Sequence, residues 1–531
     1  MKKTIRLIFL FLCLLFGPAA YLVITIKGMT FLNWFIPAVF LIWLLLLGLW
    51  FLTFGNPSFK TRLQRFLTGL TVFALLGYLA TLVLRYEGST SGSSFPKLTW
   101  VWNQEAASNS EERLNEAAVI VQPATPETLA AVSDLHNFLG PDRNGKWEEL
   151  HFNPDWNTHP PKRLWQKTLG KAWSSFVVDH NRAITQQQNG NNEEVVCLDI
   201  FTGEEMWWHA DEGVRLLLEK SENGGAAMGG DGPRSTPTIF GERVFSLGST
   251  GIANCLDLNT GALLWSHNVI TDYAGELQRW GSANAPLVIP EENMVIFAGT
   301  DRPGTNLIAY DIETGKLRWN YQGGGASYSS PRVLNFESID QIVSVNAKDV
   351  TGLNIEDGAE LWKYDWPGNF PKVGQPIKVG ANRILVTASY GVGSFLIEIS
   401  KPEAEWNVSE IWKTTRMKTK FSSSVILGDY AYGLDEARLA CIRLETGKKV
   451  WKGEKFGFGQ HLLFDNQLLV QGEHGYLATG TVSPEGYTET GRIDALESMT
   501  WNVPAVAGRL LLVRNDREAA CYLLPEKISK N

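Results

Sequence analysis

Cys255-Leu256-Asp257-Leu258-Asn259-Thr260-Gly261-Ala262-Leu263-Leu264-Trp265-Ser266 reads as an apolar strand, a tight Asn-Thr-Gly turn and a second alternating strand. Gly261 supplies the backbone angle that other residues resist, so the stretch is a β-hairpin. The phrase recurs as Asp199-x-x-Thr202-Gly203-x-x-x-Trp207, Asp311-x-x-Thr314-Gly315-x-x-x-Trp319, Asn354-x-x-Asp357-Gly358-x-x-x-Trp362 and Arg443-x-x-Thr446-Gly447-x-x-x-Trp451. Upstream of each copy lies another pair of short strands, as in Ser235 to Leu247. Four strands per unit at a period of about 40 to 50 residues is the pattern of a β-propeller blade.

The tryptophans give the count. Trp207, Trp265, Trp319 and Trp362 are followed by Trp412 in a degenerate copy and then by Trp451. A seventh unit keeps its upstream hairpin but replaces the phrase with Ser483-Pro484-Glu485-Gly486. The eighth begins at Trp501 and stops after three strands, and the orphan strand 163–169, which carries Trp165, is expected to complete it and close the ring. The expected fold is therefore an all-β, eight-bladed propeller over 137–524, with a tail at 525–531. Each repeat tryptophan buries roughly 200 Å2 and is expected to cement one sheet to the next.

The front of the chain is different. Residues 1–85 contain no Asp or Glu, and apolar stretches near 7–26, 32–54 and 66–84 are each long enough for a bilayer of roughly 30 Å. They predict a membrane domain of three transmembrane helices. A rival reading takes Met1 to Ala20 as a cleaved signal peptide. Lys2, Lys3 and Arg6, then Lys60, Arg62 and Arg65, put the intervening segments in the cytoplasm, so either reading leaves the propeller on the periplasmic or extracytoplasmic side of the inner membrane. Residues 86–136, rich in Ser, Gly and Glu, are expected to form a flexible linker, interrupted by Trp100 and Trp102.

Residues 86–531 carry 40 basic against 56 acidic groups, a formal charge of −16, which argues against nucleic acid as a partner. Cys197, Cys255, Cys441 and Cys521 fall at one position of four different blades, as small buried hydrophobes facing separate cores. No metal site is expected, because no Cys-x-x-Cys or His-x-x-x-His spacing appears. Eight scattered histidines form no visible hydrolytic triad.

Ligand chemistry is expected at one mouth of the central channel, where the innermost strands begin. The residues there are Arg234, Ser235 and Thr236, Tyr328 and Ser329, Ser422 beside Lys420, His461, and Trp501 with Asn502, together with Trp280 on an adjoining connection. The long connections 210–233 and 268–281 rise on the same face. The competing expectation is that the hydroxyls simply fill a narrow channel.

The repeats resemble those of the pyrroloquinoline-quinone (PQQ) propellers over about 137–524. With Phe138-Leu139-Gly140-Pro141-Asp142-Arg143-Asn144-Gly145, Gly232-Pro233-Arg234-Ser235-Thr236-Pro237 and Tyr328-Ser329-Ser330-Pro331, the chain looks most like BamB-like proteins abundant in planctomycete-type bacteria. The family includes quinoprotein dehydrogenases and cofactor-free scaffolds. The resemblance implies a membrane-tethered module that binds a protein or envelope polymer without a cofactor, or alternatively a dehydrogenase using PQQ with Ca2+ and passing electrons to membrane quinone. The first reading is preferred because no residue of the mouth ring is Asp or Glu, leaving no anionic ligands for Ca2+. Loop carboxylates such as Asp231, Asp301 or Glu436 would reopen the second by folding inward.

Overall fold

The computed structural model describes residues 58–89, 96–100, 125–216, 229–300 and 305–527, apart from 369 and 404, with isolated positions between 42 and 48. Two compact units divide the chain, one of residues 1–109 with 219–229 and one of residues 110–218 with 230–531. The first contains the helix Phe59–Val83 and a hairpin of Leu84–Ser89 with Pro96–Trp100. Among the described residues no helix is long and apolar enough to cross a membrane. The expected spans at 7–26 and 32–54 lie outside the described residues, apart from the isolated positions, as does Trp102.

The second unit is an eight-bladed propeller. Seven blades are consecutive meanders, from Val177–Asp179 through Glu205–Asp211 in blade 1 to Gln460–Phe464 through Gly486–Asp494 in blade 7. Blade 8 takes three strands from the C-terminal end, Ala505–Ala507, Leu510–Arg514 and Glu518–Leu523, and its outermost strand from Lys162–Thr168. That strand closes the ring as the sequence implies. Blade 7 gains a fifth strand, Lys146–Trp147, parallel to its innermost strand.

The repeat phrase builds the joint between neighbouring blades. Trp165 donates its indole N–H to the Ile200 carbonyl at 2.8 Å, and Trp207, Trp265, Trp319 and Trp412 repeat the bond to Leu258, Ile312, Ile355 and Leu444. Each acceptor lies three residues before the turn glycine of the next blade. That glycine has φ between 64° and 72° in all five copies. At Gly203 a Cβ would stand 2.7 Å from the Trp165 ring, so the position needs glycine both for its backbone and for the indole laid over it. The turn's Asp accepts from the backbone; Asp257 Oδ1 takes Thr260 N at 2.9 Å and Thr260 Oγ1 at 2.7 Å. The four blade cysteines each face their own blade's tryptophan across the hairpin, as Cys255 faces Trp265.

Two joints depart from the pattern. Blade 5 has Lys401-Pro402 where a Thr-Gly turn would stand, and Trp362 turns its N–H to Gln341 Oε1 of its own blade at 2.6 Å instead. In blade 7, Gly491 occupies the tryptophan position opposite Thr479. Trp156 from the N-terminal segment, 2% exposed, packs against that glycine and into the core shared by blades 7 and 8.

Replacing Trp165, fully buried, by Phe removes the N–H and leaves the Ile200 carbonyl unpaired, which should cost about 2 kcal/mol. Trp208→Phe, at a side chain 47% exposed, should change stability by less than about 0.5 kcal/mol. Thermal and urea unfolding of the two variants checks the contrast.

Candidate functional site at the channel mouth

Residues 131–148 cross the end of the channel away from the mouth and touch most of the blades in turn. Ala131 O accepts from Arg509 N of blade 8, Leu135 pairs with Val178 of blade 1, and His136 O accepts from Ile239 N of blade 2. Arg143 reaches the Pro286 and Ala285 carbonyls of blade 3 at 2.8 and 2.9 Å, and Arg332 of blade 4 donates to Asp142 O at 2.8 Å. Gly145 O then accepts from Leu463 N of blade 7. Burial holds the Arg143 guanidinium down to about 9, with Arg332 nearby adding to the effect. Part of the expected linker is thus a plug: the segment docked on the propeller begins at the short helix Pro126–Ala131 rather than at residue 137.

At the mouth, much of the hydroxyl ring serves as a belt between blades. Thr236 Oγ1 accepts from Ser175 N at 3.0 Å, and Ser330 and Ser423 repeat this for Ala285 N and Gln375 N. Ser235 Oγ donates to Asn284 O at 2.8 Å, and Asn502 Nδ2 to Ser174 O at 2.7 Å. Arg514, fully buried, ties blade 8 to blade 1 by donating to Thr185 Oγ1, Gln186 O and Gly170 O at 2.8 to 3.0 Å. The guanidinium of Arg234 is spent on the Gly230 and Gly232 carbonyls at 2.6 and 2.7 Å, and burial brings it down to about 10.

The aromatic and charged residues gather in two groups. Trp280 and Tyr328 meet edge to face at 5.6 Å, with Arg279 over the indole at 5.1 Å. Trp501 packs against Trp173 at 5.0 Å and Phe421 at 4.6 Å, and donates Nε1 to Glu473 Oε1 at 3.0 Å. Lys420, 4% exposed, lies over Phe458, Tyr390 and Phe421 at 4.7 to 5.6 Å. Burial pushes its ammonium down to about 8, while Glu436 and Glu473, both 3% exposed, act to keep it charged. The expectation of a mouth lined by neutral oxygens alone is therefore corrected. These two carboxylates come from the turns between second and third strands, which rise on the mouth face and fold over it. Asp231 is also buried, with Lys171 at 3.3 Å, while Asp301 lies outside the described residues.

Several buried polar atoms at this end have no protein partner: Trp173 Nε1, Trp280 Nε1, Ser329 Oγ and Asn502 Oδ1. Buried polar groups in native proteins are nearly always satisfied, so such a concentration marks a place for ordered water or a small polar ligand. Ser422 is buried on the same rim.

PQQ would need an exposed indole face, a free cation for its quinone oxygens and anionic ligands for Ca2+. Trp501 is instead packed between Trp173 and Phe421, and Arg234 is held by backbone carbonyls. Among the described residues, the one group of three His, Cys, Asp or Glu side chains close enough to share a cation is Asp134, His136 and Asp179, beside the plug at the other end. The mouth residues do not fit the cofactor.

Residues 192–453 match the PQQ_2 family, described as outer membrane protein assembly factor BamB. The matched stretch runs from blade 1 into blade 6 of the propeller. Proteins named outer membrane protein assembly factor BamB from Shewanella oneidensis and Moranella endobia are each 22% identical to it, over 259 and 242 residues. The matches cover 45% and 44% of this chain and 62% and 60% of the relatives, so the chain spans about three fifths of their length. Among solved structures, a europium-containing methanol dehydrogenase is 11% identical with a TM-score of 0.54, covering 74% of this chain and 98% of that one. The quinohemoprotein alcohol dehydrogenase of Comamonas testosteroni is 12% identical with the same TM-score, covering 78% and 84%. At such identity the likeness is one of fold.

Sequence reasoning reached Lys420, Trp501 and Asn502 through the repeat register, but missed Glu473, Arg514 and the plug arginines. Glu473 lies in the turn after a second strand and Arg514 at the end of one, away from the innermost-strand starts that the register points to, and the plug precedes every repeat. Gly472 and Gly475 beside Glu473, and Gly140 and Gly145 beside Arg143, were the available signal; Arg514 had none.

Burial lowers the His461 imidazole to about 4 from 6.5. Between those values the unfolded chain binds a proton that the folded chain refuses, so stability should fall as pH drops from 6.5 to 4. Glu193, raised to about 8 from 4.5 by burial, acts in the opposite sense and costs stability as pH rises through that interval. Thermal unfolding across pH 4 to 8 should therefore lose its acid-side decline in His461→Gln and its alkaline-side decline in Glu193→Gln.

Proposed function

We propose that this chain is a membrane-tethered propeller on the extracytoplasmic face of the inner membrane, serving as a binding or scaffold module for a protein or polymer of the cell envelope. The observation that carries the reading is the channel mouth itself. Arg234, Arg514 and Trp501 are committed to contacts within the propeller, while the half-buried Trp280, with Tyr328 edge to face and Arg279 over its ring, stands on the rim for recognition. The repeat family, with its outer-membrane assembly relatives, supports a protein partner. Kinship with planctomycete-type BamB-like proteins belongs to the same proposal, on the motifs Phe138 to Gly145 and Tyr328 to Pro331.

The tether is supported by the 25-residue helix Phe59–Val83, whose Leu67, Leu70, Leu75 and Leu82 are all about half exposed. Apolar side chains in that state are stable against lipid or another apolar surface. The apolar stretches at 7–26 and 32–54 and the basic residues around them support insertion with the propeller outside; the expected span at 66–84 falls in Phe59–Val83, which is not apolar enough to cross.

Oxidation of an alcohol or sugar with PQQ and Ca2+ is the rival reading, favoured by the dehydrogenase-like ring alone. Added to the full chain in detergent, PQQ with Ca2+ should show neither stoichiometric uptake nor dye-linked oxidation; tight uptake with turnover would replace the scaffold reading. In cells, the chain should stay in the inner-membrane fraction after an alkaline wash, with its propeller open to protease from the periplasmic side.

A further inference from the structure

The plug meets blade 1 through a set of side chains that the mouth does not use. The backbone pair Leu135–Val178, with N–H to carbonyl distances of 2.8 Å in both directions, aligns two short segments. Asp134 and His136 flank it on the plug; Asp179 ends the innermost strand of blade 1 and His180 opens the turn that follows. His136 Nε2 lies 3.0 Å from Asp179 Oδ1 and 3.9 Å from Asp134 Oδ2. His180 Nδ1 lies 3.2 Å from Asp179 Oδ2 and 3.7 Å from Asp134 Oδ1. The ligand atoms of Asp134, His136 and Asp179 all lie within 4.8 Å of one another.

We propose that Asp134, His136, Asp179 and His180 form a site for a borderline divalent cation of the Zn2+ class, which fastens the plug to blade 1. A tetrahedral Zn2+ with ligands at about 2.0 to 2.2 Å has ligand-to-ligand edges of about 3.3 to 3.5 Å, comparable to the four imidazole-to-carboxylate distances of 3.0 to 3.9 Å; Asp134, His136 and Asp179 already lie together, and His180 has to turn in as the fourth ligand. Binding requires the exposed His180 side chain to rotate towards the three others, of which Asp179 is buried and fixed. Two imidazoles favour Zn2+, Co2+ or Ni2+ over Ca2+ or Mg2+, which take oxygen ligands.

The frame is fixed before the metal arrives. His136 O accepts from Ile239 N of blade 2 at 3.0 Å, and Asp134 Oδ1 accepts from His180 N at 2.8 Å. His180 holds φ at 54°, an angle that a histidine rarely adopts, in the turn that carries its imidazole towards Asp134 and Asp179. The neighbouring cation is Arg182, with Nη1 3.5 Å from Asp179 Oδ2, and it also donates to Asn259 Oδ1 at 2.8 Å. Two carboxylates and two neutral imidazoles would balance the charge of one divalent ion, leaving Arg182 its bond to Asn259.

Tag-free full chain, stripped with chelator and kept in detergent, should bind one equivalent of Zn2+ by calorimetry and raise its thermal midpoint. Co2+ should give the intense visible absorption of a tetrahedral site. His136→Ala should weaken Zn2+ binding by at least about 100-fold. His180→Ala, at a side chain 75% exposed and so harmless to folding, should also weaken it and change the Co2+ spectrum. His151→Ala, away from the cluster, should alter neither. Absence of stoichiometric binding, or binding that survives both cluster variants unchanged, would overturn the site.

Discussion

An indole laid over a left-handed glycine joins most neighbouring blades of this ring. The glycine must lack a side chain because the ring of the preceding blade's tryptophan occupies that space, and the tryptophan must carry its N–H because a turn carbonyl would otherwise be buried without a partner. Each joint binds consecutive blades, so stability accrues around the circle and the outer strand of blade 8 has to be found elsewhere in the chain. Where one half of the joint is missing, the other is re-employed. Trp362 turns inward to Gln341, and Trp156 fills the place that Gly491 leaves empty.

Closing the ring determines what the axis can do. At one end Arg143 of the plug and Arg332 of blade 4 are spent on backbone carbonyls, and at the other Arg514, Ser235 and Asn502 stitch blades together. A quinone cofactor would compete with those bonds for the same donors. What survives as recognition chemistry is the rim of Trp280, Tyr328 and Arg279.

The sequence made the architecture legible because the joint is local. Asp, Thr, Gly and Trp stand at fixed separations within one hairpin, so five copies suffice to count blades and even to identify Lys162–Thr168 as the missing strand. The mouth was only partly legible. Ring positions follow from the register, but their hydrogen bonds run to other blades, and Glu473 reaches Trp501 from a turn 28 residues away. Nothing periodic announces the plug, whose partners are spread from Val178 to Arg509. The pairing of His136 with Asp179, 43 residues apart, likewise has no motif spacing and needed the fold to bring its parts together.

Hydrogen exchange of the full chain, with and without PQQ and Ca2+, tests most directly whether both ends of the channel are committed to holding the ring. Amides of 131–148 and of the mouth segments around Ser174, Ser235, Ser329 and Ser422 should exchange as slowly as the blade cores, with no change on adding cofactor. Rapid exchange of the plug, or new protection at the mouth when PQQ and Ca2+ are present, would contradict the account.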